Sequence, residues 1–172
     1  MRKKIFAFLL LSALYAGAQE VPDWENPIVV GINKEPYHAT LTLPSQKADC
    51  KEIISLNGKW RFQWSADPGK RPADFYKNDF NTDTWDTIIV PGAWQLQGYG
   101  KPIYSNVNYP FQKDAPKVTS EPPAEYYSYG HRNPTGSYVT TFEVTLDMKD
   151  KCLYLHFEGV KSAMYVWVNG ER

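Results

Sequence analysis

The chain has 172 residues, room for one domain and little more. Its 19 basic and 19 acidic residues balance, which excludes the electrostatic footprint of a nucleic-acid binder. Aromatic residues make up 15% of the chain, a content that disordered chains lack, and with 13 Pro and 11 Gly they describe a β-rich globular protein with long ordered loops.

The first 18 residues differ from the rest. Arg2, Lys3 and Lys4 are followed by an almost wholly apolar run over 5–16, and Ala16-Gly17-Ala18 places small residues before Gln19. This is the pattern of a secretory signal peptide over 1–18, and it falls short of the ~20 apolar residues of a membrane span. With no Cys near the expected cut, a lipoprotein anchor is unsupported. No later run approaches spanning length, so the expected product is exported, to the periplasm or the extracellular space, with no membrane span. Export permits disulfides. Cys50 and Cys152 are too few for a framework, however, and both are read as free or half-buried. There is no C-x-x-C or H-x-x-x-H, and His38, His131 and His156 are scattered, so no metal site is expected and the histidines are read as structural.

Residues 19–50 are polar and broken by Pro22, Pro27, Pro36 and Pro44, which predicts an extended arm lying against a surface. The first strand follows the turn pair Asn57-Gly58. In Lys59-Trp60-Arg61-Phe62-Gln63-Trp64 the aromatics occur at period two, so one face carries all of them into a core. Residues 65–84 are polar, with a short helical turn expected around Ala73 to Tyr76, and Ile88-Ile89-Val90 forms a short strand closed by Pro91-Gly92. Residues 91–135, rich in Pro and Tyr and containing Trp94, read as one long structured loop.

Alternation resumes in Tyr138, Thr140, Phe142, Val144 and Leu146 after a type I turn expected at Asn133-Pro134-Thr135-Gly136. It recurs in Leu153, Leu155 and Phe157, and again over 163–168, where both faces look buried. Short strands separated by turns predict an antiparallel sandwich. Asn169-Gly170 is a strong hairpin signal that leads into a returning strand, of which only two residues are present. The reading is therefore a fragment whose sandwich stops before its last strands.

These segments together resemble the N-terminal sugar-binding domain of glycoside hydrolase family 2, and within it the long bacterial β-galactosidases. Trp24-Glu25-Asn26-Pro27 and Asn33-Lys34-Glu35-Pro36-Tyr37-His38-Ala39 are similar to that family's N-terminal arm, and Ser55-Leu56-Asn57-Gly58-Lys59-Trp60-Arg61-Phe62 to its first core strand. Val90-Pro91-Gly92-Ala93-Trp94 resembles its Pro-small-x-Trp loop, although Gly92-Ala93 stands where the family often has Ser-Asn. Pro102-Ile103-Tyr104-Ser105-Asn106-Val107-Asn108-Tyr109-Pro110-Phe111 is closer to the β-galactosidase branch than to the glucuronidase or mannosidase branches. Asn133-Pro134-Thr135-Gly136-Ser137-Tyr138, Phe157-Glu158-Gly159-Val160-Lys161-Ser162-Ala163 and Trp167-Val168-Asn169-Gly170 complete the resemblance in order.

The resemblance implies an all-β, antiparallel jelly-roll sandwich over 51–172, incomplete, preceded by the arm over 19–50. It also implies two immunoglobulin-like domains and a catalytic barrel as missing partners, homo-oligomerisation, and a galactoside oligosaccharide as substrate. Retaining hydrolysis needs two carboxyl groups about 5–5.5 Å apart. The family's catalytic glutamates lie on the barrel, so no catalytic residue is assigned here and this chain alone is expected not to hydrolyse anything. No cofactor is expected in this segment; Mg²⁺, with Na⁺ as a further candidate, is implied for the barrel.

Glu25, Glu35, Glu52, Asp67, Asp79, Asp83, Asp86, Glu143, Asp147 and Asp150 read as solvated charge. Glu121 and Glu125, beside Tyr126 and Tyr127, are the carboxylates with a chance of lining a cleft, surface charge being the commoner role. The resemblance carries substrate contact to Asn106, with Val107 beside it. A carboxamide both donates and accepts, as sugar hydroxyls require, while a turn residue capping its own loop is the alternative. Trp60, Phe62, Trp64, Trp85 and Trp167 read as core rather than as sugar-stacking platforms, and Trp94 as core or domain interface. Two other functions stay open: a non-catalytic carbohydrate-binding sandwich, and a β-glucuronidase or β-mannosidase of the same family.

Overall fold

A strand whose alternate residues are Trp60, Phe62 and Trp64 has one face that water solvates poorly, and the fold is organised around covering it. In the computed structural model, which describes residues 21–36, 53–102, 111–126 and 130–172, this strand is β1, Gly58–Ser65. It is central in a three-stranded sheet, flanked by β2 (Asp86–Val90) and β3 (Thr135–Val139), with order β2-β1-β3 and both pairings antiparallel. The all-β expectation holds: the described residues contain this antiparallel sheet and short 3-10 turns, with no α-helix among them.

Register decides what meets on the aromatic face. Trp60 opposes Ile88, Phe62 opposes Tyr138, and Trp64 opposes Gly136. Phe62 is 0% exposed and Ile88 1%. The rings of Tyr99 and Tyr138 each lie 4.7 Å from that of Phe62, and the half-buried Trp94 packs 6.1 Å away at the edge of this core. Burying a phenylalanine is worth about 1.5–3 kcal/mol, and each well-placed aromatic pair adds about 0.5–1.5 kcal/mol. Gly136 makes the approach possible. A Cβ there would stand 2.6 Å from Cζ3 of Trp94 and 2.7 Å from Cε2 of Phe62.

A second aromatic group forms away from the sheet residues. Phe75 and Phe80 contact the buried Trp85 at 5.9 and 5.8 Å, and Phe75 meets Trp167 at 5.6 Å. Arg61 ties this group to β1 by donating from Nη1 to the carbonyl of Trp85 at 3.3 Å. Residues 73–76 form turns, continued by the bond from the Lys77 amide to the Asp74 carbonyl at 3.0 Å.

The structure corrects part of the strand pattern. The predicted strand over 138–146 starts earlier, at Thr135, and ends at Val139; Leu146 instead opens a 3-10 turn, Leu146–Met148, that buries Met148. The expected type I turn is replaced by a single left-handed residue, Asn133 (φ 69°), which delivers the chain straight into β3. Segments 152–157 and 163–168 run without ladder partners among the described residues, apart from one bridge at Val168. Several of their apolar residues, Leu153, Phe157, Met164 and Val168 among them, stay open to solvent, and Tyr165, Val166 and Trp167 are half-buried, so neither face of 163–168 is fully buried. Alternation says which residues would share a face; it does not supply the neighbour whose backbone must complete the hydrogen bonds.

The Asn169-Gly170 turn forms as read. Its residues take φ 51° and 88°, and Val168 and Glu171 exchange amide-to-carbonyl bonds of 2.8 and 3.1 Å across it. Of the long loop, the described part contains the 3-10 turn Trp94–Gln97 and a bridge between Asp114 and Lys117.

Gly136→Ala is expected to destabilise the fold by about 1–3 kcal/mol through overpacking against Trp94 and Phe62; an unchanged denaturant midpoint would show that the rings can move aside. Burial raises the Tyr138 hydroxyl pKa above its ordinary 10.0. A raised folded-state pKa gives stability that is full below the unfolded value and lost as pH rises through the folded one. The denaturation midpoint should therefore fall as pH rises past the ordinary tyrosine value of 10.0, and Tyr138→Phe should remove part of that fall.

Candidate functional site

The arm returns to the body of the protein through a short 3-10 turn, Asp23–Glu25, entered from an extended Pro22. Asn26 closes it: its amide donates to the Asp23 carbonyl at 3.1 Å, and its own Oδ1 accepts from the Ile28 amide at 3.2 Å. The turn thereby presents Asp23 and Trp24 to one side of a cleft of about 290 Å³ lined by Val21, Pro22, Asp23, Trp24, Arg71, Tyr165, Trp167 and Arg172.

Each wall has a local cause. Arg71 follows the turn Pro68–Lys70, where Asp67 Oδ1 accepts from the Lys70 amide at 3.1 Å. Its guanidinium donates from Nη1 to the Pro68 carbonyl at 2.6 Å and lies 5.1 Å above the Trp24 ring. Trp167 stacks on Tyr76 at 5.2 Å and on Tyr165 at 5.9 Å, and Tyr165 meets the edge of Trp24 at 6.1 Å. The Asn169-Gly170 turn then reverses the chain, so that Arg172 lies 4.7 Å over Tyr165 and pairs with Asp23. Asn33 Nδ2 donates to the Arg172 carbonyl at 3.0 Å, and Asn78 Nδ2 to that of Asn169 at 3.3 Å. Burial, and secondarily the Asp23 charge, push the Tyr165 hydroxyl pKa up, while Arg172 and Arg71 pull the other way.

A second, more polar cleft of about 420 Å³ is lined by Asp67, Lys70, Thr119, Gly130 and Arg132. Its cations are paired, Lys70 with Asp67 at 3.2 Å and Arg132 with Glu121 at 3.2 Å. Each cleft is lined by a single carboxylate, Asp23 in one and Asp67 in the other. Retaining glycoside hydrolysis uses two carboxyl groups about 5–5.5 Å apart, a pair that neither cleft presents among the described residues. No group of three or more His, Cys, Asp or Glu able to hold a metal occurs among the described residues, and no chemical step is assigned to a metal there.

Asn106 and Val107, the residues expected to touch substrate, lie outside the described residues, as do Cys50 and His38. Glu121 forms the ion pair with Arg132, and Glu125 is exposed. Glu25 departs from its reading as solvated charge: its Oε1 accepts from the Val118 amide and the Thr119 hydroxyl, each at 3.4 Å. Asp86 stays exposed, as read, and accepts from the Tyr99 hydroxyl at 2.9 Å. His131 packs on Trp64 at 5.2 Å, in keeping with a structural role, whereas His156 is exposed, and Cys152 is free and exposed. The sequence reading missed Asp23, Arg71, Tyr165 and Arg172 as a group. Asp23 and Arg172 are 149 positions apart, and no spacing or periodicity links them.

An all-β chain built on an aromatic sheet face and an N-terminal arm is the class defined by this geometry. Residues 53–172 match the family model described as the sugar binding domain of glycosyl hydrolases family 2, and the chain belongs to that family. It is 40% identical over 166 residues to a protein named Beta-galactosidase from Priestia megaterium, covering 91% of this chain and 15% of that protein. Proteins of the same name from Halalkalibacterium halodurans and Clostridium acetobutylicum are 38% and 40% identical over 83% and 87% of the chain. The chain spans 14–17% of the length of these relatives.

The Asp23–Arg172 pair is partly exposed, with side chains 28% and 39% accessible, so Asp23→Asn is expected to cost less than about 1 kcal/mol. Trp24→Ala removes the contacts with Tyr165 and Arg71 and should cost about 1–3 kcal/mol, with faster proteolysis within 21–36. Equal losses in the two variants would mean that charge, not ring packing, seats the arm.

Proposed function

We propose that this chain is the N-terminal part of an exported enzyme that hydrolyses terminal β-D-galactosides in oligosaccharides. The observation that carries the reading is the 40% identity, over 91% of the chain, to a protein named Beta-galactosidase. The leader-like pattern over 1–18 supports export to the periplasm or beyond. No helix among the described residues is long and apolar enough to cross a membrane.

On this reading the segment is a scaffold that also contributes a loop to the substrate pocket. The two carboxyl groups of a retaining mechanism, and the Mg²⁺ implied by the resemblance, belong to a catalytic barrel outside these residues. Asn106 offers a carboxamide to sugar hydroxyls, with Val107 beside it. Homo-oligomerisation is part of the same proposal.

The test is turnover by the full-length protein on aryl β-galactoside, β-glucuronide and β-mannoside. Cleavage confined to the galactoside is expected; preference for either of the others, or no cleavage at all, overturns the reading. Asn106→Ala should raise KM about tenfold with an unchanged melting temperature, the loss of one or two hydrogen bonds to substrate. An unchanged KM would remove Asn106 from the pocket.

A further inference from the structure

Among the described residues β2 has β1 on one side only, so its other edge carries backbone groups that no described strand satisfies. The structure shows how part of that edge is occupied. Gln97 Oε1 accepts from the Ile89 amide at 2.8 Å, and Gln97 Nε2 donates to the Ile89 carbonyl at 3.0 Å. A carboxamide has the same donor and acceptor as a peptide group. Gln97 therefore makes, with one side chain, the pair of bonds that a neighbouring strand would make. The placement depends on the turn Trp94–Gln97, which folds the chain back beside the strand it has just left, and on Gly92, where a Cβ would stand 2.7 Å from Gln97 Nε2.

The rest of the edge has the properties of a pairing surface. Ile89 opposes Lys59 and Thr87 opposes Arg61, so the alternation of an antiparallel ladder turns Thr87's amide and carbonyl the same way as those of Ile89. Thr87-Ile88-Ile89-Val90 is uncharged and β-branched throughout, and Ile89 is 49% exposed. Two such edges related by a two-fold axis present each other with matching donors and acceptors, which makes a second copy of β2 the best-fitted occupant.

We propose that Gln97 is a built-in block on the β2 edge, which keeps two copies of this chain from pairing β2 to β2 as a continuous antiparallel sheet. The block does not depend on the catalytic reading. With Gln97 in place an incoming strand meets an edge whose Ile89 groups are taken; without it the edge offers Thr87 and Ile89 in succession.

The experiment compares the full chain with its Gln97→Ala and Gln97→Glu variants by amide hydrogen exchange and by sedimentation across a concentration series. The Ile89 amide should exchange about fivefold to tenfold faster in Q97A at low protein concentration, with Q97E in between, since it retains the acceptor for that amide but sets a carboxylate oxygen against the Ile89 carbonyl where Nε2 donated. The self-association constant of Q97A should rise at least about tenfold over the parent chain. Adding Thr87→Pro, which deletes the outward amide while leaving the β1 ladder bonds intact, should bring it back to the parent value. Association of Q97A equal to that of the parent overturns the proposal, as does an increase that Thr87→Pro fails to reverse.

Discussion

The three-stranded sheet is organised around keeping the Phe62 ring away from water. That ring sits at the middle of the central strand, 0% exposed, and the residues that cover it come from three separated stretches of chain. Tyr138 arrives on β3, Ile88 covers the same face from β2, and Trp94 and Tyr99 come from the turn that follows β2. Gly136 gives up its own side chain so that two rings can approach closely, which converts a weak strand position into a packing position.

The arm and the end of the chain are joined by a different kind of contact. Trp24, Tyr165, Trp167 and the two arginines form a cation-capped aromatic stack, in which the apolar ring faces are shared and the polar heads stay wet. Glu25 extends the same seat towards Val118 and Thr119. Such a joint tolerates partial exposure, because its charged members lose little hydration. The sheet core has no such tolerance, since a Cβ at Gly136 would fall inside the contact distance of two rings. The protein therefore has a tightly packed centre and a more adjustable fastening between segments that are far apart in sequence.

Period-two patterning was legible where a strand had a hydrophobic face and a neighbour within reach. β1 and β2 occur where the aromatic and β-branched runs placed them, and Asn169-Gly170 turns as its residue types require. The same patterning over 152–157 and 163–168 led to expected strands that have no ladder among the described residues. Those segments carry the side chains for a face but meet no facing backbone among the described residues. The all-β class and the family were also legible, because they rest on residue types in order along the chain.

Residue types and their order alone determined the aromatic face of β1, the punctuation by Pro and Gly, the leader-like first 18 residues as a pattern, and the kinship with family 2. Tertiary structure decided that Gln97 completes part of the edge of β2, that Asp23 meets Arg172, that Trp94 packs against Phe62, and that Glu25 is a tether rather than a solvated charge. The physical reason is the range of the interactions. A face or a turn is set by neighbours a few positions away, whose geometry the backbone transmits directly. A hydrogen bond or ion pair between distant residues exists only after packing has brought their backbones together, and no local pattern encodes that meeting.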